Sequence, residues 1–189
     1  MVKMNIASRE FELRAGVTAR AVAEKELSVV IRNLWPEVFS ANENIEFFQI
    51  PKERFKSLKP LLAEFAKTHT EKWVFYAGKS PIGWSIGEMD DESTFYMRNS
   101  GLLPEYRRKG IYSSFLERFI TELTALGYER VTSHHQMNNN PVIIAKLKAG
   151  FRIIGTEMDE RYGAQIKLVK FLHEDRARAA CRLFSLGNN

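Results

Sequence analysis

Cysteine is almost absent from this chain: Cys181 is the only one in 189 residues. An intramolecular disulfide is therefore excluded, and the composition fits a reducing compartment. No stretch approaches the roughly 18 consecutive apolar residues of a membrane-spanning helix. Lys3, Arg9 and Glu10 interrupt the N-terminal region, so no secretory leader is expected, and the expected location is cytoplasmic. There is no Gly-x-x-x-x-Gly-Lys-Ser/Thr phosphate loop, no Gly-x-Ser-x-Gly elbow, no internal repeat and no low-complexity segment. The adjacent pair His134-His135 lacks the spacing of zinc ligands, and no metal is expected. Long basic runs are missing as well. The net charge is +5, yet Asp and Glu are scattered throughout, which ranks a small anionic ligand ahead of nucleic acid.

What is present is ordinary globular material, 44% hydrophobic and 27% charged, with 13 Phe, six Tyr and three Trp for a core or a pocket. One domain over residues 1–189 is expected. Residues 18–34 read as a helix capped by Thr18, with Ala19, Val22, Ala23, Leu27, Val30, Ile31 and Leu34 on one face and Trp35-Pro36 as the stop. Residues 45–50 read as a strand. Residues 52–68 read as a helix with Phe55, Leu58, Leu61, Leu62 and Phe65 on its stripe and Pro60 as a break. Strands follow at 73–76, 81–87 and 94–103. A helix over 113–126 and a strand over 128–133 come next. Asn140-Pro141 opens a helix that runs to Ala149, and a hairpin over 151–172 precedes a terminal helix over 173–184. This order predicts an α/β (mixed α+β) fold: a central, mostly antiparallel mixed sheet with helices on both faces.

The most informative stretch is Pro104-Glu105-Tyr106-Arg107-Arg108-Lys109-Gly110-Ile111-Tyr112. It joins a strand to an amphipathic helix. A basic, glycine-bearing turn at a helix start offers outward backbone N–H groups and a positive macrodipole end, which suits a pyrophosphate.

Arg107, Gly110 and Tyr112 occupy the places of the signature Gln/Arg-x-x-Gly-x-Gly/Ala, after an apolar-x-Pro lead-in at Leu102-Leu103-Pro104. Asn139, Val142, Ile143, Gly150 and Phe151 match a second element, Asn-x-x-apolar-Ile followed by a Gly-Phe helix end. With both motifs, the chain resembles the GNAT superfamily of acyl-CoA N-acyltransferases over residues 45–172, with a helical N-terminal part at 1–44 and a terminal helix at 173–189. Tyr112 departs from the pattern, which has a small residue there. The resemblance implies acetyl-CoA in a V-shaped gap between the strands at 94–103 and 128–133. Its pantetheine arm would pair with Leu102 and Leu103. Its pyrophosphate would rest on backbone N–H groups of Arg107, Arg108, Lys109, Gly110, Ile111 and Tyr112, with Asn139 in the second motif. Arg108 and Lys109 would reach the other phosphates, or else be solvated surface charges. Tyr112 would crowd the turn, donate to a phosphate, or simply pack.

The resemblance also implies direct transfer of an acetyl group to a primary amine of a small molecule or peptide. Many relatives carry a Tyr seven residues after the motif Asn to protonate the leaving thiolate. Lys146 stands there. An ammonium could serve a thiolate, but a surface helix by default turns a lysine outward. Tyr162 in the last hairpin is the alternative acid. The strand at 94–103 lacks the usual Glu, which leaves Glu88 or His135 as candidate bases. Glu88 could equally be solvated in the turn beside Asp90 and Asp91, and His135 could be packed. A catalytically silent acyl-CoA-binding protein and a nucleic-acid-binding module are the alternatives. The first strand is open between residues 10–14 and 45–50. If it is the latter, the helix at 18–34 is an addition that could cover the acceptor site or form a homodimer contact.

Overall fold

The computed structural model describes residues 9–39 and 51–184. Eight strands form one sheet: β1 (Glu10–Glu12), β2 (Val17–Ala21), β3 (Thr70–Ala77), β4 (Ser80–Met89), β5 (Thr94–Leu102), β6 (Arg130–Gln136), β7 (Arg152–Asp159) and β8 (Gly163–Phe171). Their order is β1-β2-β3-β4-β5-β6-β8-β7, and every pairing is antiparallel except β5 with β6. Five α-helices are described: α1 (Glu24–Val38), α2 (Lys52–Phe65), α3 (Ile111–Ala125), α4 (Asn140–Lys148) and α5 (Glu174–Phe184). The mixed, mostly antiparallel sheet with helices on its faces is the expected architecture.

The first expected helix is not where the pattern put it. Val17–Ala21 is strand β2, paired with both β1 and β3, and the helix begins only at Glu24. Thr18 therefore caps nothing. Val17 and Ala19 point into the core and Arg20 points out, which is the period of a strand. Pro36 does not stop α1. It sits in the last turn, where the Phe39 N–H still reaches the Trp35 carbonyl at 2.9 Å. The first strand is the one near residue 10, and residues 45–50 lie outside the described residues. The α2 stripe is not core: Phe55, Leu58, Leu61, Leu62 and Phe65 are all exposed.

The core has two halves. On one face of the sheet Phe11 stacks on Trp73 at 4.4 Å, and α3 inserts Phe115 against Phe75 and Phe119 against Phe95. Burying each such ring contributes about 2–3 kcal/mol. On the other face α1 buries Leu27, Val30 and Val38 beside Trp84. Gly101 permits this approach, since a Cβ there would lie 2.7 Å from Val38 Cγ1 and 2.9 Å from Trp84 Cη2. Glu71 is a buried carboxylate that accepts from Arg9 Nη2 at 2.8 Å and Trp73 Nε1 at 3.0 Å and contacts His69 Nε2 at 3.0 Å. Burial alone would raise its pKa. The hydrogen bonds to His69 and Arg9 outweigh that and hold it below the ordinary value.

Candidate active site

The site begins where the one parallel pair comes apart. β5 and β6 share only Thr94↔Arg130, Phe95↔Val131 and Tyr96↔Thr132. Beyond Tyr96, β5 bulges: Ile86 faces Asn99 and Gly87 faces Met97, leaving Arg98 as the extra residue. β6 meanwhile stays paired with β8 as far as Gln136. The two strands therefore part into a wedge-shaped gap with its apex near Tyr96. The Leu103 N–H is taken by the Ile82 carbonyl at 2.9 Å, so it cannot serve the gap as an oxyanion donor or a pantetheine partner. Backbone alternation turns the Leu102 N–H the other way, toward the gap.

At the wide end lies the basic turn. A 3₁₀ turn at Pro104–Tyr106 ends with the Arg107 N–H on the Pro104 carbonyl at 3.1 Å, so that N–H is not available to a phosphate. The Arg107 side chain is a brace: Nε donates to the Leu102 carbonyl at 2.9 Å and Nη2 to the Val38 carbonyl at 2.6 Å. Arg108 and Gly110 then take left-handed φ values of 60° and 76°. Arg107 and Arg108 are the centre of a hydrogen-bonded turn that directs the Lys109 N–H back toward the chain. Among the described residues no carbonyl accepts from the N–H groups of Arg108, Gly110, Ile111, Tyr112 or Ser113, and the first helical bond runs from the Ser114 N–H to Gly110. Consecutive free donors in alternating backbone conformations form an anion nest. Arg14, which carries no local signal for a role here, lies across this turn: a Cβ on Gly110 would come within 2.9 Å of its Cδ. The cradle, its cations and the gap fit the diphosphate and arm of coenzyme A.

At the apex lies Lys146. The outward orientation expected of a surface helix is wrong: Lys146 is 0% exposed, while Ile144 and Leu147 of the same helix face solvent. Its Nζ is 2.9 Å from Met97 Sδ, the first β5 side chain past the last β5–β6 pair, and 4.3 Å from the Phe151 ring centre. Among the described residues no carboxylate pairs with it, and burial pushes its pKa down to about 7. The Tyr112 ring centre is 6.0 Å from the same Nζ. The Tyr112 hydroxyl lies toward Ser100, whose Oγ meets Ser85 Oγ at 2.9 Å, and so turns away from the basic turn.

The candidate bases separate by face. His135 lies on the Lys146 side, with Nε2 at 3.1 Å from Ser133 Oγ. Burial, with the charges of Lys146 and His134 added, pushes its pKa to about 3, so it does not take up a proton at neutral pH as expected of an imidazole. Glu88 lies on the opposite face. It is 8% exposed and ion-paired with Arg98 of the bulge, not solvated in the turn. It stands across from Tyr96, whose ring is 5.3 Å from that of His134. Trp84 and Phe95 are core, and Tyr96 is the aromatic that lines this face. Tyr162 is 45% exposed in the β7–β8 turn, with its carbonyl 3.5 Å from Gln136 Nε2. Asn139 precedes α4 as its cap residue but makes no side-chain capping bond. The bulge that carries Arg98 left no mark in the sequence.

The model of the acetyltransferase (GNAT) family matches residues 30–151, well over half of the chain. The chain belongs to this family. No curated protein matches it by sequence. Among solved structures, it is similar to the ribosomal-protein-S18-alanine N-acetyltransferase from Escherichia coli at TM-score 0.61 and 14% identity, covering 82% of this chain and 94% of that one. It is similar to the spermidine/spermine N-acetyltransferase SpeG from Vibrio cholerae at TM-score 0.59 and 19% identity, covering 86% and 96%. The IAA acetyltransferase from Bacillus cereus gives TM-score 0.59 at 13% identity, covering 82% and 99%. At these identities the structural likeness speaks for the fold, and the family model identifies an acetyltransferase.

Proposed function

We propose that this acetyltransferase moves an acetyl group from acetyl-CoA directly to a primary amine of a small molecule or peptide, with Lys146 as the proton donor to the leaving sulfur. The observation that carries this reading is the buried Lys146 Nζ at the apex of the gap, with a thioether and ring faces around it and a pKa of about 7. Acetyl-CoA, when bound, supplies a thioester whose carbonyl carbon is open to a neutral amine. The free N–H groups of Arg108 and of residues 110–113 hold the pyrophosphate, with Arg14, Arg108 and Lys109 adding positive field. The Leu102 N–H orients the arm. Lys146 gives the sulfur the proton held at Nζ and regains one from solvent, to which the acylated nitrogen releases its second proton, a task suited to a group that titrates near the working pH. Glu88, ion-paired with Arg98, is the carboxylate on the opposite face and accepts the ammonium proton of the acceptor through water.

An amine acceptor fits the electrostatics of that opposite face. Glu157, Asp90 and Asp159 lie close enough to His134 for their charges to act on it and outnumber the one cation that does so, Lys167. Such a mouth attracts a cationic amine before it is deprotonated. Two of the similar structures are named for acetylating spermidine and a ribosomal-protein alanine, both amines.

The test is a calorimetric titration with acetyl-CoA, with adenosine 3′,5′-bisphosphate as control, followed by an amine panel read by thiol release. Saturable binding with amine-dependent release supports the reading. Binding without release with any amine would leave an acyl-CoA-binding protein, and no binding by a folded sample would remove the cofactor site.

A further inference from the structure

The two edges of the sheet are built differently. β1, at one edge, is three residues long and exposes Glu10 and Glu12. Short, charged edges resist pairing with other strands. β7, at the other edge, is eight residues long and reads Arg-Ile-Ile-Gly-Thr-Glu-Met-Asp. Every residue from Arg152 to Met158 is exposed, with Ile153 at 51% and Met158 at 78%. A long open edge with apolar side chains is a template for another strand. α4 also turns apolar side chains outward, Ile144 and Leu147, in place of Lys146.

We propose that β7 pairs antiparallel with β7 of a second copy of this chain, joining the two sheets across a two-fold axis at Thr156. The sequence of β7 is self-complementary in that register. Against β8, Ile153 faces Leu168 and Gly155 faces Lys167, so Ile154 is looped out as a bulge. Carrying the same bulge on the open side, Thr156 meets its own copy, Gly155 meets Glu157, Ile153 meets Met158 and Arg152 meets Asp159. Apart from the central pair, each match occurs twice. Apolar residues face apolar ones, the arginine faces the aspartate, and the threonines pair, all favourable cross-strand partners. The bulge also keeps the backbone in phase. Residues five or seven apart in a regular strand point their N–H groups in opposite directions, and one extra residue between them restores the match. A slip by one residue would send each side chain to the wrong face of the joint sheet. Arg152 also donates to Cys181 Sγ at 2.6 Å, and its five N–H groups allow both contacts.

The experiment is gel filtration of the full chain with light-scattering detection. The expected mass is twice 21.8 kDa. Ile153→Glu and Met158→Lys change side chains that are exposed in the single chain, so each variant is expected to keep its circular dichroism spectrum and fall to 21.8 kDa. Mixed in equal amounts, the two variants are expected to return to the doubled mass. In the mixed pair the introduced glutamate faces the introduced lysine once, and Ile153 faces Met158 once. A wild-type mass of 21.8 kDa at the highest soluble concentration would overturn the proposal, whether the edge is bare or covered by another part of the chain. So would either single variant keeping the doubled mass, or a mixture of the two that stays at the single mass.

Discussion

Replacing Lys146 by methionine is expected to raise stability while lowering turnover. Burial moves the Lys146 pKa from its ordinary 10.5 to about 7 in the folded chain. Below pH 7 both states carry the proton, and the folded state bears the full penalty of a buried ammonium. Between pH 7 and 10.5 the unfolded chain holds more protons than the folded one, so stability rises with pH across that window. At 1.36 kcal/mol per pKa unit the penalty is about 4 kcal/mol at pH 7 and about 1 kcal/mol at pH 9.5. Methionine has similar length and no proton, and it suits a site walled by Met97 and Phe151. Urea unfolding of both proteins at the two pH values measures the difference directly, because every other titrating group is shared. The variant is expected to be more stable by about 4 kcal/mol at pH 7, and most of that gain should vanish at pH 9.5. Its kcat should fall with little change in acetyl-CoA affinity. An equal difference at both pH values, or a less stable variant at pH 7, would refute the burial argument; an unaltered kcat would remove Lys146 from the chemistry.

Gly110→Asp, which puts a carboxylate into the nest and a side chain against Arg14, should weaken acetyl-CoA binding at least about tenfold in a calorimetric titration, with the fold checked by circular dichroism. If Lys146 donates a proton, kcat should decline as pH rises through about 7, and rate profiles of the Lys146→Met variant should lack that limb. Glu71→Leu strands the donors of Arg9 and Trp73 inside the core and should lose about 3–5 kcal/mol in a denaturant melt.

Much of the fold was legible because local and global signals agree. The strands from β3 to β6, α3 and the last hairpin lie within a few residues of where alternation, helical period and turn residues put them. β2 was misread because Ala19, Val22 and Ala23 satisfy a helical spacing, while the pairing that makes residues 17–21 a strand comes from β1 and β3. The turn that separates β1 from β2 has Ala15 at a φ of 59°, which its side chain does not advertise. The basic turn at a helix start was readable from Arg107 to Tyr112, since a helix start needs only local sequence. The role of each donor was not. Arg107 spends its N–H on Pro104 and its guanidinium on two carbonyls, and Arg14 arrives from far along the chain. α4 misleads most. Its apolar residues Ile144 and Leu147 face out while a lysine faces in, so the usual rule points to the wrong side. That inversion is what places an ionisable group at the apex of the gap.

Thiol release from acetyl-CoA, measured with and without a primary amine such as a polyamine or a free N-terminal peptide, tests the central claim most directly. The account predicts amine-dependent release that matches the acetylated amine formed mole for mole, and that drops sharply in the Lys146→Met variant. Release that ignores the amine, or no release from a folded protein that binds acetyl-CoA, would contradict it.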